Sequence, residues 1–107
     1  MLIYVSGAVT GCENENREAF EHAAKVLRLS GHAPWIPHAF VGAGTPWPAA
    51  MRECLLAMLE CEGVAMLPGW ELSRGAKLEH MVAEACGIPC KPLREWTREG
   101  AVTRSAS

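Results

Sequence analysis

Residues 63–87 read GVAMLPGWELSRGAKLEHMVAEACG, which is an apolar run, a turn and an amphipathic segment in succession. The run at residues 63–67 is typical of a buried strand, and the Pro-Gly pair after it is typical of a turn. Ser73 is suited to cap the helix that follows, and Gly87 is suited to end it. The expected apolar side of this helix consists of Leu78, Val82, Ala85 and Cys86. A strand followed by a helix is the repeating unit of an α/β fold.

The same alternation extends over the rest of the chain. Apolar runs at residues 2–5, 32–36 and 88–93 predict three further strands. Apolar residues at helical spacing over residues 20–27 and 47–59 predict two more helices between them. The order β-α-β-α-β-α-β predicts an α/β domain with a short parallel sheet of about four strands and helices on both faces.

The composition limits both the domain count and the class of protein. The chain has 107 residues, half of them hydrophobic, and a net charge of −2. This length predicts one domain, which we place at residues 1–96, with a flexible tail at 97–107. The charge balance argues against a strongly basic surface for polymeric nucleic acid. No apolar run reaches the roughly 18 residues of a membrane span, and the first residues lack a basic signal-peptide region, so we expect a cytoplasmic protein.

The cysteines and histidines do not form a metal or disulfide pattern. Five cysteines and four histidines are scattered along the chain, and no C-x-x-C motif occurs. An odd number of cysteines without such spacing is typical of buried or half-buried thiols rather than of a zinc ribbon or a disulfide framework. We therefore expect neither a metal nor another cofactor.

Three segments follow the predicted strands at their carboxyl ends, where parallel sheets bind ligands. They are residues 6–11, 38–47 and 68–75. The first contains Ser6, Gly7 and Gly11, which predict backbone contact with a sugar or phosphate. The segment matches neither G-x-G-x-x-G nor a P-loop, so a tight strand-to-helix turn is an equal alternative. Loop aromatics, Trp70 among them, favour either a base platform or a packing lid.

The start of the third predicted helix combines features of an anion site with a carboxylate. Ser73 and Gly75 lie at the helix N-terminus, where free N–H groups and the helix dipole favour an anion. Glu79 follows on the stripe that also contains Gly75, Val82 and Cys86, and we expect this stripe to face inward. A buried carboxylate is costly unless it is used or paired. Glu79 is therefore a candidate nucleophile, and the alternative is a solvated helix carboxylate.

Two further residues are candidates for the same chemistry. Glycosidic-bond cleavage commonly uses two carboxylates, and Glu62 is the nearest candidate for the second. Glu62 precedes the third strand, however, which favours a surface position unless it reaches a neighbouring subunit. Tyr4 lies in the first strand, where a buried hydroxyl needs a partner, and Glu79 is one such partner. The alternative for Tyr4 is an aromatic residue packed in the core.

Several segments together resemble the nucleoside 2-deoxyribosyltransferase superfamily, over roughly residues 2–92. The segments that carry the resemblance are Ile3-Tyr4-Val5-Ser6-Gly7, Cys61-Glu62-Gly63-Val64, Gly69 to Ala76 with Glu79, and Ala85-Cys86-Gly87-Ile88-Pro89. The Ser-x-Gly-Ala-x-x-Glu segment at residues 73–79 is the most specific of them. The chain looks closest to a compact branch found in bacteria and their phages, and the superfamily also includes hydrolases of nucleoside 5'-monophosphates.

The resemblance implies a Rossmann-like, flavodoxin-like three-layer α/β/α domain and a set of roles. The family's nucleophilic glutamate falls on Glu79, its catalytic tyrosine on Tyr4, and its acidic residue before the third strand on Glu62, where aspartate is usual. Ser73 stands where the transferases often have an aspartate that contacts the nucleoside, and the phosphate-using hydrolases resemble this chain in having serine there. The implied activity is cleavage of the N-glycosidic bond of a nucleoside or its 5'-monophosphate, by hydrolysis or deoxyribosyl transfer. The alternatives are a non-catalytic nucleotide-binding protein and a scaffold for protein contacts. Family members commonly form dimers or larger assemblies.

Overall fold

A computed structural model of the chain describes residues 1–97. The strands are β1 (Leu2–Ser6), β2 (Ala33–Trp35), β3 (Gly63–Met66) and β4 (Cys90–Pro92). The helices are α1 (Arg17–Leu29), α2 (Pro37–Phe40), α3 (Trp47–Leu59), α4 (Arg74–Ala85) and α5 (Leu93–Trp96), and short 3-10 turns precede α1 and α4. Within this part of the chain the predicted strands and long helices are all present, and α2 and α5 are additional short helices.

The four strands form one parallel sheet in the order β2-β1-β3-β4. Tyr4 of β1 is aligned with Trp35 on one side and with Val64 on the other, while Ser6 is aligned with Met66. The two central strands are buried on both faces, which explains why their sequences are continuous apolar runs. The predicted α/β fold with a short four-stranded parallel sheet is confirmed.

Helices cover both faces of the sheet, and alternate strand residues supply the two cores. On one face, Ile3, Val5 and Ala65 pack with Phe20 and Leu27 of α1 and with Trp96 of α5. On the other face, Tyr4, Val64 and Met66 pack with residues of α3 and α4. The residues that α3 and α4 contribute to this second core are Cys54, Met58, Ala76 and Ala83. The chain is therefore a three-layer α/β/α domain.

Trp96 closes the first core against the beginning of β3. Its indole N–H donates to the Val64 carbonyl oxygen over 2.9 Å. A Cβ atom on Gly63 would overlap the Trp96 ring, so only glycine allows this approach. Thr97, the first residue of the predicted tail, is 8% exposed, and the rest of that predicted segment lies outside the described residues.

The predicted inward face of α4 is wrong in part. The structure buries Ala76, Glu79 and Ala83, whereas Ala85 and Cys86 are exposed. The buried stripe is narrow and is formed by small residues around the carboxylate, so it carries little of the hydrophobic signal on which the prediction relied. None of the helices within residues 1–97 is long and apolar enough to span a membrane.

Candidate active site

The Glu79 carboxylate is buried on α4, and it accepts hydrogen bonds from two hydroxyl groups of β1. The Tyr4 hydroxyl donates a hydrogen bond to Oε2, and the Ser6 hydroxyl donates one to Oε1 over 2.6 Å. Glu79 is 5% exposed, and Tyr4 and Ser6 are each 1% exposed. Each carboxylate oxygen thus has one hydroxyl donor within the chain.

The positions of these three residues follow from local structure. Side chains of a strand alternate between the two faces, so Tyr4 and Ser6 project from the same face of β1. The helix α4 packs over that face through Ala76 and Ala83, which are small enough to bring the helix close to the sheet. Ser73 caps α4 by accepting a hydrogen bond from the Ala76 amide over 3.2 Å, as predicted for a helix N-terminus.

Burial dominates the electrostatics of Glu79. It raises the pKa of Glu79 to about 6, and the hydrogen bonds from Ser6 and Tyr4 oppose this rise. The pKa of Tyr4 is held well above its ordinary value, first by burial and then by the neighbouring charge of Glu79. Tyr4 therefore remains a proton donor to the carboxylate at neutral pH. Glu79 forms no ion pair with a lysine, arginine or histidine in the described chain.

Aromatic rings extend from Tyr4 toward the edge of the sheet. The Trp35 ring stacks on Tyr4 with centroids 5.2 Å apart, and Phe40 stacks on Trp35 at 5.0 Å. Phe40 is 65% exposed, so the stack begins beside the carboxylate and ends at solvent. The sequence reasoning did not include Trp35, because only the structure shows that β2 pairs with β1 and aligns Trp35 with Tyr4.

Cys54 of α3 is a second residue that the sequence reasoning missed. It is buried in the same core as Tyr4, close enough for each group to affect the pKa of the other. Burial raises the pKa of the Cys54 thiol to about 11, so the thiol is protonated at neutral pH. Its place in the sequence, within an ordinary amphipathic helix, carried no sign of this contact.

The remaining predicted binding residues lie on turns at the carboxyl end of the sheet. Gly7 directly follows β1. A Cβ atom at this position would come within 2.8 Å of the Leu67 side chain, so the close packing here requires glycine. Gly11 is exposed and has a φ of +81°. Trp70 lies in the turn before α4 and stacks on His80, with centroids 4.5 Å apart.

Gly75 lies where the first turns of α3 and α4 meet. A Cβ atom on Gly75 would come within 3.3 Å of the Met51 sulfur and 3.9 Å of the Trp47 indole nitrogen. The Arg74 guanidinium lies over the Trp47 ring, 4.0 Å from its centroid. Gly75 therefore allows the close packing of the two helix starts.

Glu62 is not brought to the other candidates. It lies at the amino end of the sheet, where its Oε1 accepts the Leu2 amide over 3.0 Å and its own amide donates to the Leu2 carbonyl oxygen over 2.8 Å. Tyr4 and Ser6 hold Glu79 further along β1. The prediction that Glu62 acts beside Glu79 is therefore not supported within one chain, because the residue before a parallel strand lies at the opposite end from the residues that follow one.

Two cavities in the structure lie away from Glu79. One of about 690 Å³ lies between α1, α5 and the turn after β3, and Trp70 is the only predicted site residue among those that line it. Another, of about 330 Å³, lies beside α1 and α2. No group of three or more His, Cys, Asp or Glu residues within residues 1–97 is arranged to hold a metal ion. The candidate site is thus a buried carboxylate with its own hydrogen-bond partners.

The fold is similar to that of a solved enzyme structure. A 2-deoxyribosyltransferase from the psychrotolerant bacterium Bacillus psychrosaccharolyticus superposes on this chain with a TM-score of 0.65 at 15% sequence identity, covering 84% of this chain and 69% of that one. The chain has a nucleoside 2-deoxyribosyltransferase-like fold. It belongs to the family described as a domain of unknown function, DUF4406, whose model matches residues 1–91. Among curated proteins there is no match.

Proposed function

We propose that this protein cleaves the N-glycosidic bond of a nucleoside or a nucleoside 5'-monophosphate, by hydrolysis or by transfer of the sugar, with Glu79 as the nucleophile. The observation that carries the proposal is the buried Glu79 carboxylate, bonded by Tyr4 and Ser6 through both of its oxygens. A carboxylate in this state is an anion with a defined orientation, which is what nucleophilic attack on a sugar carbon requires. The likeness of the fold to a 2-deoxyribosyltransferase supports nucleosides as the substrate class.

The reaction follows a retaining glycosidase scheme. A Glu79 oxygen forms a bond to C1' of the sugar while the bond from C1' to the base nitrogen breaks. The electron pair of that bond goes to the base, which takes up a proton from solvent. Water, or a second base in a transfer reaction, then attacks C1' and breaks its bond to the Glu79 oxygen. The attacking group gives up a proton to solvent, and Glu79 is again a carboxylate. Tyr4 stabilises the carboxylate before attack and after release, because its high pKa keeps its proton in place.

The turns at the carboxyl end of the sheet are the proposed substrate-binding region. Ser73 caps α4 and Gly75 lies in its first turn, and the positive end of this helix favours an anion such as a 5'-phosphate. The exposed side chains of Arg74 and Lys77 add positive charge there. We propose that Gly7, Gly11 and Trp70 complete this region through backbone approach and ring contact.

The setting of the reaction is also a proposal. We expect a cytoplasmic protein that acts as a homodimer or larger homo-oligomer on small nucleotides or nucleosides, without a cofactor. Analytical ultracentrifugation of the purified protein measures the oligomeric state directly.

The test is to incubate the protein with a panel of nucleosides and their 5'-monophosphates and to measure the free base by chromatography. We expect release from at least one substrate, and loss of release in Glu79→Gln. Glu18→Gln is the control, because it removes an exposed carboxylate from α1, on the other face of the sheet, and should leave release unchanged. Release that depends on an added second base identifies transfer. Wild-type turnover in Glu79→Gln would show that Glu79 is not the nucleophile.

One observation favours a second candidate, a nucleotide-binding protein without catalysis. Glu79 is 5% exposed, and its oxygens already accept hydrogen bonds from within the chain, which satisfies a buried polar group without any substrate. This candidate predicts that nucleotides raise the melting temperature, that no base is released, and that Glu79→Gln leaves the affinity unchanged.

A further inference from the structure

The Ser6 hydroxyl has only one proton, and the structure commits that proton to Glu79. Ser6 ends β1, and its side chain is 1% exposed. Its oxygen lies 2.6 Å from Oε1 of a residue 73 positions away in the sequence. Its carbonyl oxygen accepts the Leu67 amide over 2.8 Å, so the backbone at Ser6 is also held in the sheet. A serine in this state has no proton left to donate to a sugar.

The groups that face Glu79 make this hydrogen bond important. The titratable side chains around it are Tyr4 from β1, Cys54 from α3 and Cys90 from β4. A tyrosine or a cysteine is either neutral or negative, so none of the three can offer Glu79 a positive charge. No cation of the described chain forms an ion pair with Glu79. The anion therefore depends on two hydroxyl donors, one for each oxygen.

We propose that Ser6 is a positioning residue that holds the Glu79 carboxylate as an oriented anion, and that it does not bind the substrate. This inference rests on the proposed function only for its kinetic consequence; the hydrogen bond itself is independent of it. Removing Ser6 leaves Oε1 buried without a partner, which is costly for an anion and much less so for a carboxylic acid. Tyr4 cannot replace the lost donor, because its proton is used at Oε2.

The first test needs no enzymatic activity. The titration of Glu79 is followed by carbon NMR of protein labelled at the glutamate carboxyl carbons, with Glu79→Gln identifying the signal. In Ser6→Ala we expect the midpoint to rise by about one pH unit or more, since a hydrogen bond to a charged group is worth roughly tenfold or more in an equilibrium. Ser6→Cys, which keeps the shape and supplies a weaker donor, should give an intermediate midpoint. An unchanged midpoint in Ser6→Ala overturns the proposal.

The second test separates positioning from substrate binding. If the base-release assay gives turnover, Ser6→Ala should lower kcat at neutral pH and move the acidic limb of the pH profile upward with the NMR midpoint, while KM stays the same. A rise in KM with an unchanged acidic limb would show that Ser6 binds the substrate, and would overturn the proposal. If no substrate is turned over, the proposed function fails, and the NMR midpoint still decides the role of Ser6.

Discussion

Replacing Glu79 with glutamine should stabilise the folded protein at neutral pH while it abolishes base release. Burial raises the pKa of Glu79 from 4.5 to about 6, so the folded chain binds the proton of this carboxyl group more tightly than the unfolded chain does. The free energy of unfolding therefore falls as the pH rises from about 4.5 to about 6, and it remains lower above that window. Glutamine carries no charge at any of these pH values, so the variant escapes this loss.

The magnitude follows from the two pKa values. They differ by about 1.5, which at about 1.36 kcal/mol for each pKa unit corresponds to about 2 kcal/mol. The glutamine side chain keeps one oxygen for a hydroxyl donor, and its amide can donate to the oxygen of the other hydroxyl. We therefore expect Glu79→Gln to gain up to about 2 kcal/mol at pH 7 and close to nothing at pH 4.

The assay is urea unfolding followed by circular dichroism at a series of pH values from 4 to 8. The difference between wild type and Glu79→Gln cancels the contributions of the other carboxylates. Glu18→Gln is the control, because it removes an exposed carboxylate from α1 on the other face of the sheet and so separates the effect of burial from that of a change in net charge. The reasoning is refuted if Glu79→Gln keeps the wild-type slope between pH 4.5 and 6, or if it is less stable than the wild type at pH 7.

Two further substitutions test the packing of the sheet and the position of Glu62. Gly63→Ala should lower the free energy of unfolding in urea by roughly 1–3 kcal/mol, because its Cβ would overlap Trp96. Gly42→Ala is the control, since its Cβ would meet only Thr45 at 3.6 Å, and equal costs for both variants would contradict the contact with Trp96. Glu62→Gln should leave base release unchanged and cost less than about 1 kcal/mol of stability, because its role is to accept the Leu2 amide. A large loss of turnover in Glu62→Gln would show that Glu62 takes part in the reaction.

The sequence was sufficient for the order of the four strands and the three long helices, because each of them is marked locally. Buried parallel strands require continuous apolar runs, and the runs around Tyr4 and Val64 are β1 and β3. The cap of α4 was also predictable, since the side chain and the amide that it accepts are three residues apart. The inward face of α4 was not, because its buried stripe consists of alanines and a glutamate and lacks large apolar residues.

The candidate site could be predicted only in part, for a related reason. The resemblance placed Tyr4 and Glu79 in one site, and the structure joins them by a hydrogen bond. Ser6 was predicted to contact substrate, yet its hydroxyl is buried against Glu79. Glu62 was grouped with these residues by chemical type, but it lies at the other end of the sheet. The chemical type of a residue identifies it as a candidate for the site. The direction of the neighbouring strand then decides at which end of the sheet that residue lies.

By itself, the sequence determined the alternation of strands and helices, the parallel character of the sheet and the start of α4. These features depend on residues within a few positions of one another, so periodicity and capping are enough to reveal them. Only the tertiary structure decided which side chains meet: Oε1 and Oε2 of Glu79 find their donors 73 and 75 residues away. The physical reason is that the pairing of β1 with β3 and the packing of α4 across both strands together bring these hydroxyl groups to the carboxylate. No local sequence pattern predicts such long-range contacts.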